Sequence, residues 1–256
     1  MILESHAHYE DEAFDEDRNE LLNSFSEQGI GVVVNVSSSL ETIERTLLLC
    51  KQYPFIYGAV GVHPEECAAL NDENFEYVKR MLSEDKVVAV GEIGLDYYWD
   101  EPERSIQKKW FEAQIALARE AKLPMIIHSR DAAQDTLDIL KAHKSEEIGG
   151  VIHCFSYGTE MAREYLNMGF YLGIGGVVTF NNAKKLKEVV AYAPIESIVL
   201  ETDSPYLSPV PNRGKRNSSL NLVYVAKEIA KIKGLDYHEV VEITEQNAKR
   251  MYQIHE

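Results

Sequence analysis

The chain has 256 residues, 45% hydrophobic and 27% charged, a globular composition that excludes a disordered chain, a collagen and a disulfide-built miniprotein. Acids outnumber bases 42 to 26, for a net charge of −16, which disfavours a polyanion over the molecule as a whole. No apolar run reaches the roughly 20 residues that span a bilayer, the first residues do not read as a secretory signal, and Cys50, Cys67 and Cys154 form no close pair, so the expectation is a cytoplasmic protein with no membrane partner.

Short Val- and Ile-rich runs recur along the chain. The first, Ile2–Leu3, leads into His6 and His8. An acidic block from Glu10 to Glu20 follows and reads as a solvated loop and helix face. Gly31–Val36 is the second run. Ser38 with Glu41 reads as a capping box opening a helix to about Gln52. Ile56–Val62 ends at His63, and Val87–Ile93 carries Glu92 near its end. The aromatic triplet Tyr97-Tyr98-Trp99 comes next and could stack on bases.

In Ser105–Lys122 the residues Ile106, Trp110, Ala113, Leu117 and Ala121 share one helix face. Pro124–Ile127 ends at His128, and Val151–Ile152 ends at His153. Phe170–Ile174 precedes Gly175 and Gly176, which with Gly173 form a loose glycine cluster. Ile198–Leu200 leads to Asp203. Then comes Arg213-Gly214-Lys215-Arg216, a local basic loop suited to phosphate. Ser219–Lys233 is a helix stopped by Gly234, and Asp236 with Glu239 starts the last helix.

Runs without polar alternation suit strands buried on both faces of a parallel sheet. Eight of them alternating with helices over about 250 residues predict an α/β TIM (β/α)₈ barrel, one domain over residues 1–256. A doubly wound open sheet is the alternative. In such a barrel, chemistry sits at the C-terminal ends of the strands. His6, His8, His63, Glu92, His128, His153 and Asp203 all fall there. Residues two apart on a strand face one side, so His6 and His8 converge. Six imidazole and carboxylate ligands, His6, His8, Glu92, His128, His153 and Asp203, exceed one tetrahedral site and suit two divalent ions, with Glu92 able to bridge. Mg²⁺, Mn²⁺, Zn²⁺ and Fe²⁺ all remain open. His143, His238 and His255 receive no role.

The blocks Ser5-His6-Ala7-His8, Gly61-Val62-His63-Pro64, Gly91-Glu92-Ile93-Gly94-Leu95-Asp96-Tyr97, Ile127-His128-Ser129-Arg130, His153-Cys154-Phe155, Glu201-Thr202-Asp203-Ser204-Pro205-Tyr206-Leu207 and Arg213-Gly214-Lys215-Arg216-Asn217 occur in this order. Together they resemble the TatD family of metal-dependent deoxyribonucleases, within the amidohydrolase-like barrels, over essentially the whole chain. The resemblance implies a TIM barrel, two divalent metals and hydrolysis of nucleic-acid phosphodiesters. It implies that His6 and His8 hold one metal with Asp203. Glu92 would bridge to a second held by His128 and His153, with His63 and Arg130 beside the substrate. The chain departs from the family pattern at Glu4, where Asp is usual, at Ser218-Ser219 after Asn217, and at Val177, where proline is common.

The resulting expectation is a two-metal phosphodiesterase removing nucleotides from a single-stranded or frayed DNA end. Asp203 would act as ligand and base, and Glu92 as the catalytic bridge. Tyr97, His63, Arg130, Arg213, Lys215 and Arg216 would contact a DNA or RNA substrate, and no obligate protein partner is implied. The rivals are a small-molecule amidohydrolase or lactonase, an aminoacyl-tRNA ester hydrolase, and a non-catalytic binding barrel.

Overall fold

The computed structural model describes residues 1–255; of the expected domain, only Glu256 lies outside the described residues. Among these residues, eight strands form one all-parallel sheet in sequential order. They are β1 (Ile2–Ala7), β2 (Ile30–Val36), β3 (Ile56–Val60), β4 (Val87–Asp96), β5 (Met125–Arg130), β6 (Gly150–Ile152), β7 (Tyr171–Ile174) and β8 (Ile198–Leu200). The helices between and after them are α1 (Arg18–Ser24), α2 (Leu40–Gln52), α3 (Asp72–Met81), α4 (Arg104–Ala121), α5 (Ala133–Ala142), α6 (Thr159–Asn167), α7 (Lys184–Tyr192), α8 (Leu222–Lys233) and α9 (Tyr237–Tyr252). This is the expected (β/α)₈ barrel. No helix among the described residues is long and apolar enough to cross a membrane.

The seam between β8 and β1 is held just beyond the end of β8, by the residues that follow it along the end of β1. Asp203 N–H donates to His6 O at 3.0 Å, and His8 N–H donates to Ser204 O at 2.8 Å. Each strand divides its side chains between two cores. Val33, Val60, Ile93, Ile127, Leu172 and Leu200 face outward to the helices. Leu3, Val34, Ala59, Ile126, Val151 and Val199 fill the barrel, where Met251, Tyr252 and Ile254 join them from α9 and the residues after it. Asn247 of α9 donates to the carbonyls of Ile195 and Ile198, both 2.8 Å, at the start of β8. The C-terminal segment thus plugs the N-terminal end of the barrel and leaves the other end for chemistry.

The strand limits differ from the sequence expectation where polar residues continue the ladder. β1 extends past Leu3 to Ala7, β4 past Ile93 to Asp96 and β5 past Ile127 to Arg130, while β3 ends at Val60 rather than Val62. Hydrophobicity marks burial, whereas a strand is defined by backbone bonds that Ser5, Asp96 and Ser129 make as well as valine does. The first cap is also corrected. Ser39, not Ser38, caps α2, and Thr42, not Glu41, closes the box. Asp236 caps α9 alone, through His238 N–H.

Two ladder irregularities matter for the site. Glu4 and Ala7 pair with Val33 and Asn35, so β1 carries an extra residue around Ser5 and His6. Val90 and Ile93 pair with Met125 and Ile127, so β4 carries one around Gly91 and Glu92. Bulges of this kind re-aim side chains next to active sites. Here they occur in the two strands that supply His6 and Glu92.

Candidate metal centre

The six expected ligands converge at the open end of the barrel. His6 Nε2 lies 3.0 Å from His8 Nε2, 3.4 Å from Glu92 Oε2 and 3.7 Å from Asp203 Oδ1. His8 Nε2 lies 3.8 Å from Glu92 Oε2 and 3.4 Å from Asp203 Oδ1. Ligands about 2.1 Å from one ion stand about 3.4 Å apart at tetrahedral corners. These four atoms therefore have the spacing of a ligand cage.

The second oxygen of Glu92 faces a different set. Glu92 Oε1 lies 2.6 Å from His128 Nδ1, 3.3 Å from His153 Nε2 and 3.7 Å from His63 Nε2. One buried carboxylate is thus divided between two groups of imidazoles. His128 is clasped from its other side by Asp96 Oδ2 at 2.9 Å. The His6 and His153 rings stack at 3.7 Å between centroids, 16° from parallel.

The protonation of the groups reflects this crowding. Burial opposes charge on Glu92, but His153, His6 and the hydrogen bond from His128 outweigh it and hold the carboxyl well below its ordinary range. Burial likewise opposes charge on His128, yet hydrogen bonds to Asp96 and Glu92 push it up to about 9. His153 is pushed up to about 9 by Glu92 and Glu201 against the same burial penalty. His63 goes the other way, down to about 3, through burial and the neighbouring His128. Its Nδ1 accepts from Glu65 N–H at 3.2 Å, so the neutral ring carries its proton on Nε2, toward Glu92.

Asp203 sits at φ 58°, in the left-handed region. Aspartate and asparagine tolerate that region better than other side-chain-bearing residues, and such backbone clusters at functional sites. Below it, Glu4 is fully buried. It accepts from Thr202 N–H (2.8 Å), Thr202 Oγ1 (2.7 Å), Ser219 Oγ (2.9 Å) and His6 N–H (3.2 Å). The longer side chain at this departure from the family pattern thus ties β1 to the segment carrying Asp203. Ser219, the second departure, is one of its partners.

The expected substrate contacts are less uniform. His63 joins the ligand cluster. Arg130 lies over the Tyr98 ring, 3.8 Å from its centroid. Tyr97 turns its hydroxyl to Asp135 at 2.6 Å, under Arg104, leaving Trp99 as the most exposed aromatic of the triplet at 60%. Arg213 packs on Phe180 at 4.1 Å. Lys215 is exposed. Arg216 forms a two-point pair with Asp17, at 2.7 and 2.5 Å, and donates to Ala13 O at 2.7 Å.

Sequence reading missed three buried acids. Asp96 stands four residues beyond Glu92 on β4, a spacing that puts both on one strand face and could have been noticed. Glu201, two before Asp203, carried the same signal. Glu10 corrects the solvated reading of the acidic block. It is buried, accepts from Asn35 Nδ2 at 2.7 Å and lies 3.5 Å from His8 Nδ1. No periodicity marked it, because its burial comes from Asn35, 25 residues away.

The comparisons agree with the geometry. A family profile described as "TatD related DNase" matches residues 4–253. The chain is 44% identical over 254 residues to the metal-dependent hydrolase YabD of Bacillus subtilis, covering 99% of this chain and all of that one. It is 35% identical over 260 residues to the metal-dependent hydrolase YcfH of Escherichia coli, covering 99% and 96%. The crystal structure of YjjV, a TatD homologue from Escherichia coli, superposes with a TM-score of 0.94 at 28% identity, covering 99% of this chain and 98% of that one.

Proposed function

The chain belongs to the TatD-related DNase family and is a metal-dependent hydrolase, and from that premise we propose that it holds two divalent cations and hydrolyses DNA phosphodiesters from a single-stranded or frayed end. The observation that carries this reading is the division of Glu92, whose Oε2 faces His6 and His8 while its Oε1 faces His128 and His153. The donor set of imidazoles and carboxylates fits Mg²⁺, Mn²⁺, Zn²⁺ or Fe²⁺.

His6, His8 and Asp203 would hold one cation, His128 and His153 the other, with Glu92 between. When bound, the pair supplies Lewis acidity and makes water acidic near neutral pH. Asp203 is suited to take the proton of the attacking water. Burial opposes its ionisation, but the hydrogen bond to His8 and the His153 and His6 rings keep it ionised at neutral pH. Neutral His63 can donate from Nε2 to a substrate oxygen, and Arg130 is placed on the same rim. Lys215 and Arg213, beyond β8, are the bases available to a phosphate. Trp99 is the aromatic open to a base.

One observation favours a second reading, a small-molecule amidohydrolase or lactonase. The surface is strongly acidic, and Arg216 is already paired with Asp17. The same cation pair polarises a carbonyl as readily as a phosphoryl group. The deciding experiment loads the protein with Mg²⁺, Mn²⁺ or Zn²⁺ and assays a labelled oligonucleotide beside a panel of esters, lactones and amides. Turnover of the oligonucleotide supports the first reading. Clear lactone or amide turnover with none of DNA would replace it.

A further inference from the structure

We infer that Glu201 is the positioning carboxylate of the metal centre, fixing the imidazoles of both His153 and His6 from the side opposite their ligating nitrogens. The inference rests on the two-cation reading above and deepens it; it does not depend on the substrate.

Glu201 follows β8 directly and is fully buried. Its carboxylate reaches over β7 toward the end of β6, which His153 follows. The reach is possible because residue 173 on β7 is glycine. Any Cβ there would collide with Glu201 Oε2. Gly175 lies along the same path, 3.3 Å from Glu201 O and 3.7 Å from its Cγ if given a Cβ. Gly173 thus clears the channel for this side chain, while Gly175 keeps a close approach to the Glu201 backbone.

At the far end, Glu201 Oε1 accepts from Cys154 N–H at 2.5 Å and stands 3.4 Å from His153 Nδ1. The backbone of the next residue therefore pins the carboxylate beside the ring. His153 Nε2 faces Glu92, so Nδ1 is the nitrogen left for orientation. His6 is stacked on His153 and presents its Nε2 to His8, Glu92 and Asp203. Donor atoms of His6, His153 and Glu201 all lie within 4.8 Å of one another. His6 Nδ1, His153 Nδ1 and Glu201 Oε2 are buried and have no hydrogen-bond partner. His153 Nδ1 already stands beside Glu201, and His6 offers a second open donor within 4.8 Å that has yet to close on it, so two donors face one open acceptor over a short span.

A metal-ligating imidazole usually gives its second N–H to a carboxylate, which fixes the tautomer and makes the ligating nitrogen more basic. Asp96 does this for His128 alone. Glu201 is placed to do it for one ligand of each proposed cation, so its loss should loosen both sites together.

The test uses the full chain, Zn²⁺ and ¹⁵N-labelled histidine. In the zinc-loaded wild type, His6 and His153 are each expected to hold a slowly exchanging proton on Nδ1. Competition with a chromogenic chelator should show both zinc affinities lowered about 10–100-fold in Glu201→Gln. In Asp96→Asn, mainly one should fall. A wild-type spectrum with either Nδ1 unprotonated would overturn the inference, and it needs no variant to fold. So would Glu201→Gln binding two zinc ions as tightly as wild type, or losing affinity at only one site. A wild type that takes up fewer than two zinc ions would instead sink the two-cation reading, and the inference with it.

Discussion

Asp203 and His6 are joined twice, by a backbone bond of 3.0 Å and by side chains whose Oδ1 and Nε2 stand 3.7 Å apart. The bond that closes the barrel and a contact within the candidate ligand cage are therefore made by the same two residues. Closure uses only main-chain atoms, so the side chain can be changed without opening the seam.

Asp203→Asn should show this separation. Asparagine tolerates the left-handed backbone that residue 203 adopts. The variant should fold with a circular dichroism spectrum like wild type and a similar melting point without added metal. Its hydrolytic rate should fall by about two orders of magnitude or more, since ligand and base are lost together. Steady-state kinetics on whichever substrate the wild type turns over would check it. Near-normal turnover would remove both roles from Asp203.

Glu4 should behave as a buried neutral acid at neutral pH. Burial pushes its carboxyl up to about 8, against the hydrogen bonds from Thr202, Ser219 and His6 that pull it down. A folded value above the unfolded one contributes stability that is complete below about 4.5 and lost as pH rises through about 8. Glu4→Gln mimics the neutral acid and should flatten that decline. Glu4→Ala strands buried donors and should cost about 2–5 kcal/mol. Urea denaturation of the three proteins between pH 5 and about 8.5 would measure both effects, and a wild-type stability that does not decline over this range would contradict the assignment.

On the two-cation reading, protons and cations compete for the same nitrogens. His128 and His153 lie near 9, with their burial outweighed by Asp96, Glu92 and Glu201. Their pairing with carboxylates stabilises the metal-free protein fully below about 6.5, and this is lost as pH rises through about 9. Metal affinity must move oppositely, since each ligand must shed its proton. The rise in melting temperature on adding saturating Zn²⁺ should therefore grow from pH 6.5 to 9. A constant or shrinking increment would show that these imidazoles do not bind the ion.

Arg216 is restrained by Asp17 in a pair that is partly exposed on both sides. If the basic loop meets a phosphate backbone, Asp17→Asn should release the guanidinium. Binding of a short single-stranded oligonucleotide should then tighten a few-fold at low salt, and the slope of log K against log salt should steepen by about 0.7 for one added phosphate contact. Fluorescence anisotropy at several salt concentrations would measure it. An unchanged affinity would leave Arg216 as a loop brace. Arg216→Ala should then cost stability instead of binding.

The barrel and the cluster of six candidate ligands were legible in the sequence because both are signalled locally. A strand buried on both faces needs a run of Val and Ile, and a metal ligand must be an imidazole or carboxylate wherever that run ends. His6, His8, Glu92, His128, His153 and Asp203 each announced themselves this way. Only the tertiary structure decided how those ends are aimed and what stands behind them. Bulges at Ser5–His6 and Gly91–Glu92 turn two strands inward, and barrel closure brings Asp203 to His6. Asp96, Glu201 and Glu10 become partners of the ligands because they are buried beside them. Residue type alone gave no hint, since on a chain with 42 acids most carboxylates are solvated; only the spacing of Asp96 from Glu92 and of Glu201 from Asp203 carried a signal. Contacts such as Glu201 over Gly173 and Arg216 with Asp17 join residues far apart in the chain. Residue types can suggest them, but only the path of the folded backbone sets the distances on which hydrogen bonds and charge pairing depend.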